Sequence, residues 1–362
     1  MSLSVILPLP LPAARTGPGD REVRARVVMI TLAALLALTA VASLSTGASG
    51  ASFGAALSAL ARGDALDATE RVILFDIRLP RLALGMLVGA GLAVSGAVMQ
   101  GLFRNPLADP GLVGVGAGAG LGAIAAIVLG GLLPAGLAVY LGHYVVPVAA
   151  FLGGWATTLL LYRVSTRGGR TSVAVMLLAG IAMGALAGAV SGMLVYIADD
   201  SQLRDLTFWG LGSLAGATWT KVLAATPLIG AALVLAPAMA RGLNRLALGE
   251  ASAAHLGVPV QRLKNTAILT VAGATGAAVA VSGGIGFVGI VVPHLLRLLT
   301  GPDHRYLLPN AALLGASLLV AADMVSRSII APAELPIGIV TATLGGPFFL
   351  WILLRNRGVL DL

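Results

Sequence analysis

Hydrophobic residues in this chain gather in long runs without a charged side chain, and short polar segments separate the runs. The runs cover residues 27–61, 82–103, 110–162, 171–198, 222–240, 265–296, 306–322 and 335–354. Most of them reach the roughly 20 apolar residues that a helix needs to cross a lipid bilayer. The pattern therefore predicts a bundle of membrane-spanning helices.

Two runs are too long for a single span. The run at 110–162 breaks at Leu133-Pro134-Ala135-Gly136, and the run at 265–296 breaks around Ser282-Gly283-Gly284 before it continues to Thr300. Splitting both runs gives ten spans in place of eight. The composition agrees, with 58% hydrophobic residues, 10% charged residues and a mean hydropathy of +0.97. We expect an all-α polytopic membrane protein.

The positions of Lys and Arg predict the orientation, because cytoplasmic loops retain positive charge during insertion. With the N-terminus inside, sixteen of the 23 basic residues fall in cytoplasmic segments and seven fall outside. The sixteen are Arg15, Arg21, Arg24, Arg26, Arg104, Arg163, Arg167, Arg170, Arg241, Arg245, Arg262, Lys264, Arg297, Arg305, Arg355 and Arg357. Ten spans return the C-terminus to the cytoplasm. Most of the net charge of +8 comes from these cytoplasmic basic residues. Because the basic residues are dispersed over loops and not gathered on one face, they argue against nucleic-acid binding.

The chain divides into a tail, a membrane domain and a short end. Residues 1–26 carry Leu-Pro-Leu-Pro-Leu-Pro and then mixed charges, so we expect a flexible cytoplasmic tail. The first span resembles a secretory signal, but its apolar run exceeds a typical signal core, so we expect it to be retained. The membrane domain covers 27–357, and 358–362 form a cytoplasmic C-terminus.

One polar segment between two spans is long enough to fold by itself. Residues 241–265 are basic and helix-prone, and lipid would reject them. We interpret them as a cytoplasmic helix-turn-helix that offers a surface to a soluble partner. An ordinary amphipathic loop helix is the alternative.

Several kinds of chemistry are excluded by the residues present. The two lysines, Lys221 and Lys264, lie outside any phosphate-binding Gly-x-x-x-x-Gly-Lys-[Ser/Thr] loop. The four histidines have no i, i+4 pairing, so a zinc site is unsupported. Zero cysteines exclude disulfides and thiolate nucleophiles. Asp323 is the deepest acid, and Arg327, one turn later, is its expected partner, either as an interfacial ion pair or in a functional role.

Glycines recur at helical spacing in the predicted fifth span. Gly180, Gly184, Gly188 and Gly192 lie four residues apart and line one helix face. Such a face allows close approach of another helix, and it also suits a conduit for a bulky solute. Close helix contacts are also expected at Gly85 and Gly89 and at the alternate glycines from 114 to 122.

The order of motifs resembles the FecCD family, the membrane permeases of type II ABC importers for iron siderophores, haem and vitamin B12. The first block reads Arg78-Leu79-Pro80-Arg81, then Gly89-Ala90-Gly91-Leu92-Ala93-Val94-Ser95-Gly96-Ala97-Val98-Met99-Gln100, then Asn105-Pro106-Leu107-Ala108-Asp109-Pro110-Gly111. The second reads Leu248-Gly249-Glu250, Leu256-Gly257, Gly284-Ile285-Gly286-Phe287-Val288-Gly289, Pro293-His294, Asp303-His304-Arg305 and Ala333-Glu334-Leu335-Pro336-Ile337-Gly338. The resemblance covers about residues 70 to 355.

The resemblance implies an assembly in the bacterial inner membrane. It implies ten spans per subunit, a homodimer with the path on the two-fold axis, two cytoplasmic ATPase subunits that bind ATP-Mg, and a periplasmic binding protein that delivers cargo. It implies no permanently bound cofactor and no catalytic residue in this chain. Within 241–265, Glu250, Ala251, His255 and Gly257 would occupy the ATPase groove as a coupling helix.

The resemblance also implies docking and gate positions. Arg78, Arg81 and Arg327 would face acidic residues of the binding protein on the outer side, although anchoring at the lipid interface is an alternative. The cytoplasmic gate maps onto four small or neutral residues, with the N-cap of a helix as the alternative role for the last two. They are Asn105, Leu107, Thr171 and Ser172.

The expected cargo is haem. Residues 198–214 and 301–305 look most like the haem permeases of the family, and Met183, Met193 and Tyr196 could touch an iron porphyrin. Ferric siderophore and vitamin B12 are the alternatives. Outside ABC import, an ion-coupled secondary transporter would need intramembrane acids or interrupted helices in matching halves, and an intramembrane enzyme would need a catalytic constellation.

Overall fold

The computed structural model describes residues 18–46, 67–168 and 170–355, together with residues 54, 58 and 62. The predicted C-terminal end at 358–362 lies outside the described residues, as do residues 1–17 of the predicted tail. The first helix begins at Pro18, so residues 18–26 of that tail are helical, contrary to the flexible segment that the sequence predicted.

The described chain is almost entirely helical. We number its helices α1 Pro18–Ser45, α2 Ala68–Phe103, α3 Val115–Leu129, α4 Ala135–Leu141, α5 Val145–Ser165, α6 Val173–Ile197, α7 Asp200–Leu211, α8 Trp219–Leu246, α9 Glu250–His255, α10 Val260–Ser282, α11 Val288–Thr300, α12 His304–Ser328 and α13 Ile337–Arg355. A small antiparallel hairpin, β1 Thr166–Arg167 and β2 Arg170–Thr171, joins α5 to α6. Helix α2 contains a π-helical stretch at Val72–Arg78.

Eight helical segments are long and apolar enough to cross a membrane, and two shorter apolar helices accompany them within the described residues. The two predicted breaks are confirmed. The chain leaves its helix before Pro134 and resumes at Ala135, and α10 ends at Ser282, where Gly283 adopts a φ of 70°. The all-α class is confirmed, while the count of ten spans stays a prediction.

Helix α2 lies at the centre of the bundle and packs against α12, α8, α10 and α11. Small residues at the contacts let the backbones approach closely. A Cβ on Gly96 would overlap the carbonyl of Gly289 on α11, and a Cβ on Gly89 would overlap that of Gly315 on α12. The predicted close contact at Gly89 is therefore confirmed.

The segment at 241–265 takes a more compact form than the predicted helix-turn-helix. Helix α8 continues to Leu246 and α10 begins at Val260, so only α9 and its flanking turns stand apart from the spans. Gly249 and Gly257 flank α9 with φ values of 104° and 80°, a left-handed region that glycine enters without a Cβ clash. These two turns set α9 as a separate short helix at the bundle's end.

Candidate functional site

The predicted site residues lie at two ends of the bundle. Arg78 and Arg81 lie at the start of the α-helical part of α2, and Asn105 and Leu107 follow its end. The 25 residues from Leu79 to Phe103 span about 38 Å at the rise of an α-helix. The structure therefore separates the predicted docking residues from the predicted gate by the thickness of the bundle.

At the end of the bundle that the sequence predicts to be cytoplasmic, α9 and the turn after it expose all four predicted coupling residues. Glu250, Ala251, His255 and Gly257 are exposed, and they are joined on this surface by the exposed side chains of Leu248 and Leu256. Ala253 and Val258 turn inward and are buried. Leu248 and Leu256 therefore add two large apolar side chains to this exposed surface.

Two basic side chains hold the ends of α9. Lys264 Nζ lies 2.7 Å from Glu250 Oε1 at the first residue of α9 and donates a 2.7 Å hydrogen bond to the carbonyl of Thr171 on β2. At the other end, Arg245 donates a 3.1 Å hydrogen bond to the carbonyl of Leu256. Helix α9 is thus tied both to the hairpin and to α8.

The predicted gate residues Thr171 and Ser172 occupy the entrance to α6. Thr171 is buried, and its amide and hydroxyl bond to Gln261 at 2.9 and 2.6 Å. Ser172 caps α6, its hydroxyl accepting from the amide of Val175 at 3.4 Å, so its N-cap role is confirmed.

The other two predicted gate residues form a separate turn. Asn105 Oδ1 accepts a 2.9 Å hydrogen bond from the amide of Leu107, directly after Arg104, which ends α2 at a φ of 51°. Within the described part of the chain, no hydrogen bond joins this turn to Thr171 or Ser172. Whether the four residues meet as a gate stays a prediction.

A cavity of about 940 Å³ opens at the same end, between the starts of α1 and α12 and the ends of α2, α8 and α11. Its basic lining includes Arg21, Arg104, Arg297 and Arg305. Burial raises the pKa of Asp303 in its wall, but bonds from Arg305 and Asn244 leave that pKa below its usual value. The sequence did not predict this cavity.

At the opposite end, which the sequence predicts to be outside, the three predicted docking arginines bond to their own chain. Arg78 and Arg81 expose only 4% and 8% of their surface. Arg81 bonds both to Asp323, at 2.9 to 3.0 Å, and to Glu334, at 2.8 and 2.9 Å.

Arg78 and Arg327 tie this cluster to the end of α1. Arg78 donates to the carbonyl of Leu44 at 2.5 Å, and Arg327 donates to the carbonyl and hydroxyl of Ser43 at 2.7 and 2.8 Å. Arg327 Nε also lies 3.6 Å from Asp323 Oδ2, which confirms the predicted ion pair. The arginines therefore hold four segments together, namely α1, α2, α12 and the loop before α13. Their contact with a binding protein stays a prediction.

The glycine face of α6 is open in the single chain. A Cβ on Gly184, Gly188 or Gly192 would meet no described atom within 4 Å, whereas Gly180 is buried. Tyr196, one turn further along the same face, is exposed. The described chain alone leaves most of this face uncovered, and the packing partner or path at this face stays a prediction.

Three residues with clear roles were missed by the sequence reasoning. Lys264, Gln261 and Glu334 supply partners for Thr171 and Arg81. A usable signal existed for Lys264, because it is one of two lysines in the chain and directly precedes the predicted apolar run at 265–296, where a buried cation would need a partner. Glu334 had a weaker signal as an acid close to a predicted span.

Comparison with known proteins gives a consistent picture. The profile of the FecCD transport family matches residues 35–355. The hemin transport system permease protein HmuU of Yersinia pestis is 51% identical over 285 residues, which is 79% of this chain and 84% of that protein. The cobalamin import system permease protein BtuC of Halobacterium salinarum is 46% identical over 293 residues, covering 80% of this chain and 75% of that one.

Solved structures share the fold. An inward-facing structure assigned to the metal-chelate type of ABC transporter superposes with a TM-score of 0.80 at 33% identity, covering 91% of this chain and 99% of that chain. PsaBC from Streptococcus pneumoniae, in complex with Fab, superposes with a TM-score of 0.54 at 17% identity, covering 79% of this chain and 94% of that chain, which shows the fold alone.

Proposed function

The chain belongs to the FecCD transport family, and on that premise we propose that it is the permease subunit of an ATP-driven importer that moves haem from the periplasm to the cytoplasm. The observation that carries the cargo is the 51% identity to a hemin permease, against 46% and 44% for cobalamin and vitamin B12 permeases of comparable coverage. Ferric siderophore and vitamin B12 remain the alternative cargoes.

The arrangement of the site suits alternating access. Movement at α9 would open or close the cytoplasmic end, while the outer end receives cargo. The open glycine face of α6 supports a homodimer in which this face meets a second copy and lines the path. Gly184 and Gly188 would leave room there for a flat, bulky solute, and exposed Met193 and Tyr196 would contact it weakly.

The subunit itself is proposed to hydrolyse nothing. Two cytoplasmic ATPase subunits would bind ATP-Mg and dock on the exposed surface of α9. A periplasmic binding protein would deliver haem to the outer end, where its acids would have to compete with Asp323 and Glu334 for Arg81. Glu334, with 36% of its side chain exposed, is the accessible member of that cluster. The location would be the bacterial inner membrane.

The test is uptake into proteoliposomes that hold this chain and its ATPase, supplied with binding protein loaded with haem, a ferric siderophore or vitamin B12. We expect ATP-dependent accumulation of haem. An ATPase variant without its phosphate-binding lysine is the matched control, and it should abolish accumulation while the complex stays assembled.

The other outcomes separate the alternatives. Accumulation of siderophore or vitamin B12 but not haem would keep the importer and overturn the cargo. Uptake driven by a proton or sodium gradient without ATP would instead identify a secondary transporter.

A further inference from the structure

We infer that Lys264 is the residue that carries movement of α9 to the cytoplasmic start of α6. The inference rests on the proposed function, in which an ATPase docks on α9. Lys264 lies in the second turn of α10 and is only 3% exposed. Its ammonium contacts Glu250 Oε1 and the Thr171 carbonyl, each at 2.7 Å, so one buried charge bridges α9 and the hairpin.

The hairpin end of this bridge is held by several hydrogen bonds. Helix α10 holds Thr171 at three atoms: Gln261 bonds to its amide and its hydroxyl, and Lys264 bonds to its carbonyl. Thr166 adds a hydroxyl contact at 2.8 Å. The next residue, Ser172, caps α6. A displacement of Lys264 would therefore pass through Thr171 to Ser172, the N-cap of α6.

The α9 end of the bridge is the accessible one. Glu250 is the first residue of α9, and 47% of its side chain is exposed, so a docked subunit could touch it directly. At the opposite end of α9, Arg245 on α8 donates a hydrogen bond to the carbonyl of Leu256. This bond connects α9 to α8 and not to α6. Lys264 thus gives α9 its charged connection to the helix with the open glycine face.

A cation suits this position, because it pairs with the Glu250 carboxylate and donates to the Thr171 carbonyl. A neutral apolar side chain would leave the buried Thr171 carbonyl without its donor from α10 and would release Glu250 into water. The half-exposed Glu250 carboxylate can be solvated again at little cost. We therefore expect Lys264→Met to disconnect α9 from the hairpin while the bundle still folds.

The absence of cysteine allows a direct measurement. Arg170→Cys places one thiol on the exposed side of β2, and its labelling rate in the assembled permease–ATPase complex is measured without nucleotide and with ATP plus vanadate. In this reference protein the two rates should differ. Adding Lys264→Met should reduce that difference about tenfold, within the 5- to 150-fold range of typical site coupling, while ATP hydrolysis persists.

A matched control tests whether the effect is specific to Lys264, and a second variant covers the case in which Lys264→Met does not assemble. Arg163→Met removes an exposed cation at the end of α5 and should leave the nucleotide-dependent labelling unchanged. If Lys264→Met lowers the yield of complex, Glu250→Gln replaces it, because Gln keeps an acceptor for Lys264 and removes only the charge. A partial loss of the labelling difference is expected for that variant.

Two results would overturn the inference. One is a full labelling difference in Lys264→Met, or in Glu250→Gln where that variant stands in for it. The other is equal labelling in both nucleotide states of the reference protein, since the start of α6 would then not move. Labelling and ATP hydrolysis need no cargo, so failure of the unsubstituted complex to import haem would count against the proposed cargo and not against this bridge.

Discussion

Arg81 shows how much of the outer end depends on one side chain. Its guanidinium bonds to the carboxylates of Asp323 and Glu334. A second cation, Arg327, lies with its Nε 3.6 Å from Asp323 Oδ2. Removing one member of a buried ionic cluster leaves the others uncompensated, which is far more destabilising than removing an exposed ion pair. The cluster is therefore a structural lock on α2, α12 and the segment before α13.

We predict that Arg81→Met lowers the stability of the detergent-solubilised protein by about 3–5 kcal/mol, the usual effect of breaking a buried pair. Asp323 would be left with Arg327 alone as a cationic neighbour. The measurement is the thermal unfolding midpoint, and Arg71→Met, at an exposed position of α2, is the control. A midpoint equal to that of the control would contradict the structural role of Arg81. The double variant Arg81→Met with Asp323→Leu should recover part of the lost stability.

At the scale of helices, α2 and α11 approach each other through Gly96 and Gly289. The position has no room for a methyl group, because a Cβ on Gly96 would overlap backbone atoms of Gly289 rather than a side chain that could turn away. Backbone overlap is relieved only by moving a whole helix.

Gly96→Ala should therefore destabilise the bundle by about 1–3 kcal/mol, as other overpacked cores are destabilised. Helix propensity alone would favour alanine by about 1 kcal/mol. A loss of stability would therefore show that the close contact with Gly289 outweighs helix propensity at this position. Gly116→Ala is the control, because a Cβ there meets nothing within 4 Å. Thermal unfolding and the yield of folded protein measure both, and an unchanged Gly96→Ala protein would contradict the close approach.

The predicted elements and the observed ones agree where the signal is local. Pro134 and Gly283 mark true breaks, and Ser172 is a true N-cap. The limits of the coupling segment were less well predicted, because Arg241 and Arg245 are polar residues that nevertheless continue α8. A helix that leaves the bilayer has no need to end where its hydrophobic run ends.

On the scale of the whole molecule, the open face of α6 is a surface that the described residues leave uncovered. Its glycines and its apolar side chains, including Leu186 and Met193, face outward. A glycine face turned only to lipid would gain nothing from its flatness, whereas a second helix would pack closely on it.

We predict that Gly188→Trp weakens the homodimer and reduces transport at least tenfold, while the single chain stays folded because the face is open. Gly131→Trp, another position with no neighbour within 4 Å, is the control and should leave both unchanged. The mass of the detergent-solubilised protein reports the dimer. A stable dimer with normal uptake in Gly188→Trp would place the two-fold axis elsewhere.

The sequence by itself determined the class of fold and the breaks between helices, while the orientation that Lys and Arg indicate stays a prediction. The class and the breaks follow from local properties, since lipid requires every backbone group to be satisfied within a helix. The Asp323–Arg327 pair, one helical turn apart, was within reach of the sequence, but only the tertiary structure decided the charged partners that are distant in the chain. Arg81 meets Asp323 and Glu334 across 242 and 253 positions of chain, and Lys264 meets Thr171 across 93. Such pairs depend on how the helices pack, which no local pattern records.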